Sequence, residues 1–187
     1  ISVYLKNLTE LDCTEKLFSF DTSEQRSVQK GLYRIREPFL RFWYRFVYPN
    51  ISEIALGRGE QVYEEFIAPQ LPEFVRESFS NVCGEYLQVM NRYGKLSASY
   101  GSFGVWYGKV GKIDVAARTA EGNCLVGFCE CGTEKTDAAV VEKYRTVLES
   151  AGITPTEWYC FSMQGFTTEA EQAAAELGIH LVCAKDM

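Results

Sequence analysis

Two short apolar runs, residues 111–118 and 124–131, are predicted to form a β-hairpin, and each carries one acid: Asp114 in Lys-Ile-Asp-Val and Glu130 in Phe-Cys-Glu-Cys-Gly. A carboxylate among apolar neighbours needs a partner, because burying an unpaired charge costs far more than a short strand can return. Two such acids on adjacent strands would also repel, raising the pKa of at least one. A divalent ion or a cationic neighbour is therefore the expected companion. Strand side chains alternate between faces, so Glu130 and position 132 point the same way. Position 132 is Gly, which can supply no charge.

Composition narrows the class. A chain of 187 residues, 47% hydrophobic and 24% charged, can bury a real core. No apolar run approaches the roughly 18 to 20 residues of a membrane helix, and no leader pattern opens the chain. A cytoplasmic protein with no membrane contact is expected. Ile1 falls inside an amphipathic pattern, which suggests a segment of a longer protein. The seven cysteines lack CxxC spacing and the single histidine is His180, so reduced, buried thiols are expected rather than disulfides or zinc. His180 reads as a structural histidine. Net charge is −6, divided as +2 over residues 1–50 and −8 over 51–187. The acidic balance of the larger part disfavours tight, unspecific nucleic-acid binding.

The pattern divides near residue 50. Residues 1–11 have helical spacing, and Thr14–Phe20 and Gly31–Arg36 read as strands joined by a polar connector, Asp21–Ser27. Helix followed by hairpin is the second half of a winged helix. Pro38 suits a helix start, and Phe39, Phe42, Trp43 and Phe46 follow at i, i+3, i+4, i+7, predicting a packing face. Another short helical stretch, 60–68, is interrupted by Pro69 and Pro72. A long amphipathic helix is expected from Glu73 to about Arg92, then an edge strand within Leu96–Tyr107 and the two acid-bearing strands. A helix over Asp137–Ser150, a strand over Glu157–Ser162, a helix over Thr168–Leu177 and a strand over Ile179–Cys183 complete the pattern. The expected fold is α/β: a mixed sheet flanked by helices, in the order of a restriction-endonuclease-like PD-(D/E)xK core, over residues 51–187. A partial winged helix and aromatic connector helix, residues 1–50, precede it.

Glu37 to Asn50, EPFLRFWYRFVYPN, resembles a segment of archaeal and bacterial P-loop ATPases that follows their winged helix. Phe79, Cys83, Glu85, Tyr86 and Leu87, then Trp106, Gly108, Ile113-Asp114-Val115, Gly127 and Glu130-Cys131 extend the resemblance over essentially the whole chain. It implies the C-terminal portion of such an ATPase, ending in a PD-(D/E)xK nuclease-like domain. ATP would bind only in the upstream region, since Gly108-Lys109 is followed by Val110 and lacks the rest of a phosphate-binding loop. A working site would hold Mg²⁺ or Mn²⁺ through Asp114, Glu130 and the backbone carbonyl of Cys131, with a lysine beside the attacking water. Here Ser80 replaces the helical Glu the resemblance calls for, and Gly132 replaces the lysine. Lys109, Lys112 or Lys135 could substitute for the lysine, and Glu77, better placed than Glu85, for the acid.

Two functions follow from this reading. The first is a catalytically degraded, regulatory or interaction module that contacts its own ATPase domain, a partner protein or nucleic acid. The alternative is a divalent-metal-dependent nuclease acting on DNA or RNA through Asp114 and Glu130.

Overall fold

The computed structural model describes residues 2–17, 19–20 and 32–187. They fall into two compact units, one of residues 2–17 and 32–74, the other of Ser19, Phe20 and 75–187. The sequence pattern divides the chain near residue 50; by packing, 51–74 goes with the first unit.

In the first unit, helix α1 (Ser2–Glu10) precedes strands β1 (Thr14–Leu17) and β2 (Leu32–Ile35), which pair antiparallel with Thr14 opposite Ile35. The expected connector Asp21–Ser27 lies outside the described residues. The first strand is shorter than its pattern: it ends at Leu17, and Ser19 belongs to the second unit, where it bridges Val105.

Two proline-broken helices follow, built alike. Helix α2 (Pro38–Phe42) widens into a π turn at Trp43–Val47 and tightens at Tyr48–Asn50 before α3 (Ile51–Ala55). Helix α4 (Gly59–Val62) repeats this through Tyr63–Ile67 and Ala68–Gln70 into α5 (Leu71–Arg92). Pro49 and Pro69 have no N–H for the preceding turn, so the chain shifts to a wider bond from Tyr48 N–H to the Trp43 carbonyl, and from Ala68 N–H to Tyr63. The next side-chain amide caps the disturbed turn: Asn50 Nδ2 donates to the Phe46 carbonyl at 2.8 Å, and Gln70 Nε2 to that of Phe66 at 2.9 Å. Phe46, Val62 and Ile67 form the small core of this unit, with Phe42, Ile54 and Phe74 against it. Of the expected packing face, Phe46 is buried, Phe42 and Trp43 are half-buried, and Phe39 is 68% exposed.

The second unit is a five-stranded mixed sheet in the order β3-β4-β5-β6-β7. Strands β3 (Phe103–Tyr107), β4 (Lys112–Arg118) and β5 (Cys124–Glu130) follow one another antiparallel, β3 against β4 and β4 against β5. Helix α6 (Ala138–Ala151) then crosses to β6 (Glu157–Ser162), and α7 (Thr168–Leu177) to β7 (Ile179–Cys183), both strands parallel to the one before. Asp137 and Thr167 cap the two helices by accepting from Val140 N–H and Ala170 N–H, and Gly152 and Gly178 end them in the left-handed region. Helices α6 and α7 cover one face, where Ile113, Ala116, Val126 and Phe128 meet Val141, Tyr144 and Ala170. Helix α5 covers the other, where Phe79, Cys83 and Leu87 meet Val115, Ala117, Leu125 and Cys129. The expected mixed sheet flanked by helices is observed, in the expected order. Among the described residues, no helix is long and apolar enough to cross a membrane.

Candidate functional site

The two acids lie at one end of the β4–β5 hairpin, and a bulge decides where the first of them points. Gly104 of β3 stands opposite Ala116, yet Trp106 stands opposite Ile113, so two steps along β3 face three along β4. The extra residue lies between Ile113 and Ala116. Ile113 and Ala116 join the core under α6, whereas Val115 packs toward α5 and Asp114 bonds to Ser80 of α5. Consecutive residues 114 and 115 thus share a face, which simple alternation forbids and a bulge permits.

Asp114 has no exposed side-chain surface, and both its oxygens are engaged. Oδ1 accepts from Ser80 Oγ at 3.0 Å and lies 2.8 Å from Lys112 Nζ. Oδ2 accepts from the Cys129 N–H at 3.0 Å, with an Arg76 guanidinium nitrogen 3.9 Å away. Ser80 Oγ is also 3.0 Å from the Arg76 carbonyl, so its single proton serves either acceptor. Ser80 takes the place of the expected acid and makes a different bond: a neutral donor to Asp114 in place of a second carboxylate.

Glu130 belongs to the opposite face. Cys129 packs toward α5 and Phe128 toward α6, so alternation sends Glu130 toward α6. There Tyr144 donates its hydroxyl to Glu130 Oε1, and Lys143 Nζ stands 4.0 Å from the same oxygen. The Tyr144 ring is fixed by stacking on Phe128, centroid to centroid 4.0 Å. Burial first, and then the negative charge of Glu130, push the Tyr144 hydroxyl far above its ordinary pKa, so it remains a donor. Glu130 keeps 20% of its side chain exposed and lines a cleft of about 300 Å³ with Thr133, Lys135, Thr136 and Asp137.

The remaining expected residues scatter. Cys131, whose carbonyl was the third expected ligand, is half-buried just beyond β5; its thiol is pushed up to about 12, mainly by burial and against the pull of Arg76, so it stays protonated. Gly132 is exposed, and an added Cβ would meet nothing nearer than the Glu134 carbonyl oxygen at 3.7 Å. Of the three candidate lysines, Lys109 and Lys135 are exposed and Lys112 reaches Asp114. Glu77 and Glu85 are both exposed. All seven cysteines are free thiols, and His180 is an exposed residue stacked on Tyr159 at 4.7 Å. The sequence reading did not anticipate Tyr144 or Arg76; helical spacing places Tyr144 on the buried stripe of α6, where an aromatic with a hydroxyl calls for a polar partner.

This donor set does not fit a divalent cation. Asp114, the buried member, already holds two neutral donors and an ammonium, and Glu130 is drawn to the other face by Tyr144. Among the described residues, no three His, Cys, Asp or Glu side chains are grouped to hold a metal ion.

A solved structure described as a protein of unknown function, AF1548, is similar over 51% of this chain and 54% of its own, with 20% identity and a TM-score of 0.36. A repair endonuclease from Pyrococcus abyssi is similar over 52% of this chain and 44% of its own, with 16% identity and a TM-score of 0.33. By sequence, the uncharacterized protein MJECL04 of Methanocaldococcus jannaschii is 29% identical over 118 residues, 63% of this chain, and the match spans only 26% of that protein's length. Residues 43–144, more than half of the chain, match a family described as archaeal and bacterial proteins of unknown function, and the chain therefore belongs to that family, DUF234.

Proposed function

We propose that this chain is a nuclease-derived domain whose acid centre has become structural, and that it serves as a regulatory or interaction module of a P-loop ATPase. The observation that carries the reading is the saturation of Asp114: a fully buried carboxylate with Ser80, Lys112 and the Cys129 N–H already on its two oxygens. A nuclease metal seat needs carboxylate oxygens free to bind the ion, with its remaining positions open to water and phosphate. The ATPase context is supported by the EPFLRFWYRFVYPN segment, and the helix and hairpin before it suit the end of a winged helix. The upstream ATPase domain, nucleic acid or a protein are the partners this role would have. Free cysteines support a reducing, cytoplasmic setting.

The competing reading is a Mg²⁺- or Mn²⁺-dependent nuclease using Asp114 and Glu130. The position of Lys112 favours it, because an ammonium 2.8 Å from Asp114 could take the part that Gly132 cannot. Incubating the chain with single- and double-stranded DNA and RNA, with Mg²⁺ or Mn²⁺, separates the two. Wild type is expected to cleave no faster than Asp114→Ala and Glu130→Gln. Metal-dependent cleavage lost in both variants would establish the nuclease. Glu130→Gln is included because its site is partly open and the amide keeps an oxygen that can accept from the Tyr144 hydroxyl.

A further inference from the structure

Helix α5 is covered by the sheet on one side only. Phe79, Cys83 and Leu87 lie against the strands, and on the opposite face Ser78, Val82, Glu85, Val89 and Arg92 recur at alternating steps of four and three. That is the 3.5-residue spacing of a seam between two helices, and a solvated face has no need of apolar residues in it. Val82 is 51% exposed, Val89 46%, and Tyr93, one residue beyond the helix, 73%. Glu85 and Arg92 are exposed too, and neither has an ion pair or side-chain hydrogen bond among the described residues. They cannot answer each other within the helix, since seven residues at about 1.5 Å each hold them about 10 Å apart. The face thus offers two valines and a tyrosine, with an acid on one side of Val89 and a base on the other.

We infer that this face of α5 pairs with the same face of a second copy of the chain, antiparallel about a two-fold axis beside Val89. The charges select that occupant. An axis between residues 88 and 89 brings Glu85 of each copy opposite Arg92 of the other, so one symmetric contact answers all four charges. The same axis sets Val89 against its own counterpart and Val82 against Tyr93 of the other copy. A parallel pairing would instead place Glu85 on Glu85 and Arg92 on Arg92, and like charges across a seam are repelled. Nucleic acid would meet Arg92 but set its phosphates beside Glu85. The seam from Val82 to Tyr93 spans only about 16 Å. Tight dimers bury roughly 1,200 Å² or more, so association in the micromolar range is expected, weaker at high ionic strength. This surface lies on the side of α5 away from Asp114, and the inference stands apart from the reading of the acid centre.

The test is sedimentation velocity of the full chain from about 1 to 200 μM, a range that brackets a micromolar dissociation constant. Wild type is compared with Glu85→Arg, with Arg92→Glu, with the double reversal, and with an equimolar mixture of the two single variants. Each single reversal sets like charges across the axis and is expected to weaken dimerisation about tenfold or more. The mixture sets the two bases of one chain against the two acids of the other, and its mixed dimer is expected within about threefold of the wild-type affinity. The double reversal, which carries the wild-type charges exchanged, is expected to do the same and serves where a single variant folds poorly. Circular dichroism confirms that each is folded, as exposed positions allow. A wild type that stays monomeric at about 200 μM overturns the inference. So does a dimer that single reversals leave unchanged, or one that neither the mixture nor the double reversal restores.

Discussion

Asp114 and Glu130 occupy matching places in the sequence, one acid in each arm of a hairpin, and the fold treats them differently. Asp114 lies on the α5 face, fully enclosed, with its charge answered by Lys112 and its remaining bonding capacity by Ser80 and a backbone N–H. Glu130 lies on the α6 face at the edge of an open cleft, held by one tyrosine and a loosely placed lysine. One carboxylate is a structural joint between strand and helix; the other has access to solvent and to whatever enters the cleft. Two acids in one hairpin are therefore not by themselves a metal site: a bulge of one residue and the choice of helix that each acid meets decide whether they act together.

Removing each acid should expose that difference. Asp114→Ala leaves the Lys112 ammonium and the Cys129 N–H without their acceptor, while the Ser80 hydroxyl keeps the Arg76 carbonyl; breaking a buried ion pair from one side typically costs about 3–5 kcal/mol. Glu130→Ala strands the Tyr144 hydroxyl, which is buried, but the lost charge was partly hydrated and the cleft can admit water; a cost of about 1–2 kcal/mol is expected. Urea denaturation of both variants checks the ratio. Equal losses would mean that Glu130 is as tightly enclosed as Asp114, and the comparison would collapse.

Tyr144→Phe sharpens the comparison from the other side of the bond. Glu130 then loses its donor but keeps its access to water, so stability should fall by only about 1 kcal/mol near neutral pH. The same variant should change the alkaline limb. In the unfolded chain a tyrosine releases its proton near pH 10, whereas in the fold burial and Glu130 hold the proton on Tyr144 well beyond that. Above about pH 10 the unfolded state therefore binds fewer protons than the native one, and stability falls as pH rises. Cys131 and Cys160, each pushed up to about 12 chiefly by burial, add to the fall from about pH 9 upward. Replacing Tyr144 by Phe removes its share, so the stability of the variant should fall less steeply above pH 10. A slope as steep as that of wild type would show that Tyr144 ionises as readily as in water.

Much of the sheet was legible because its parts obey simple periods. The strands at Glu157–Ser162 and Ile179–Cys183 and the helix at Thr168–Leu177 fall where their apolar patterns and capping residues put them. What the pattern could not carry was a local exception. The bulge at Asp114 arises from how β3 and β4 pair, a non-local fact, and it alone turns Asp114 and Val115 to one face. The same holds for the aromatic connector: Phe39, Phe42, Trp43 and Phe46 have helical spacing, but Pro49 widens the turn at Trp43–Val47, and burial runs from Phe46 through half-buried Phe42 and Trp43 to exposed Phe39. Asp114 and Glu130 could be named from sequence as chemically unusual. That Lys112 would answer the first and Tyr144 the second depended on which helix lies over which face, and the apolar stripes of α5 and α6 look alike until they are packed.

The smallest expected effect concerns the position that first set the chain apart. If Gly132 were there because the backbone demanded it, no side chain could be restored and the loss of a lysine would be a consequence of the fold. The geometry says otherwise: residue 132 is exposed, its backbone is not in the left-handed region, and an added Cβ makes only ordinary contact with the Glu134 carbonyl oxygen at 3.7 Å. Gly132→Lys should therefore change stability by no more than about 0.5 kcal/mol, within the range of exposed substitutions away from special backbone. A lysine restored there alone should not produce cleavage while Lys112 remains on Asp114, because the new ammonium adds positive charge to a seat already neutralised. Metal-dependent cleavage by Gly132→Lys would mean that an ion can reach Asp114 past Lys112, and would dissolve the distinction between a closed acid and an open one.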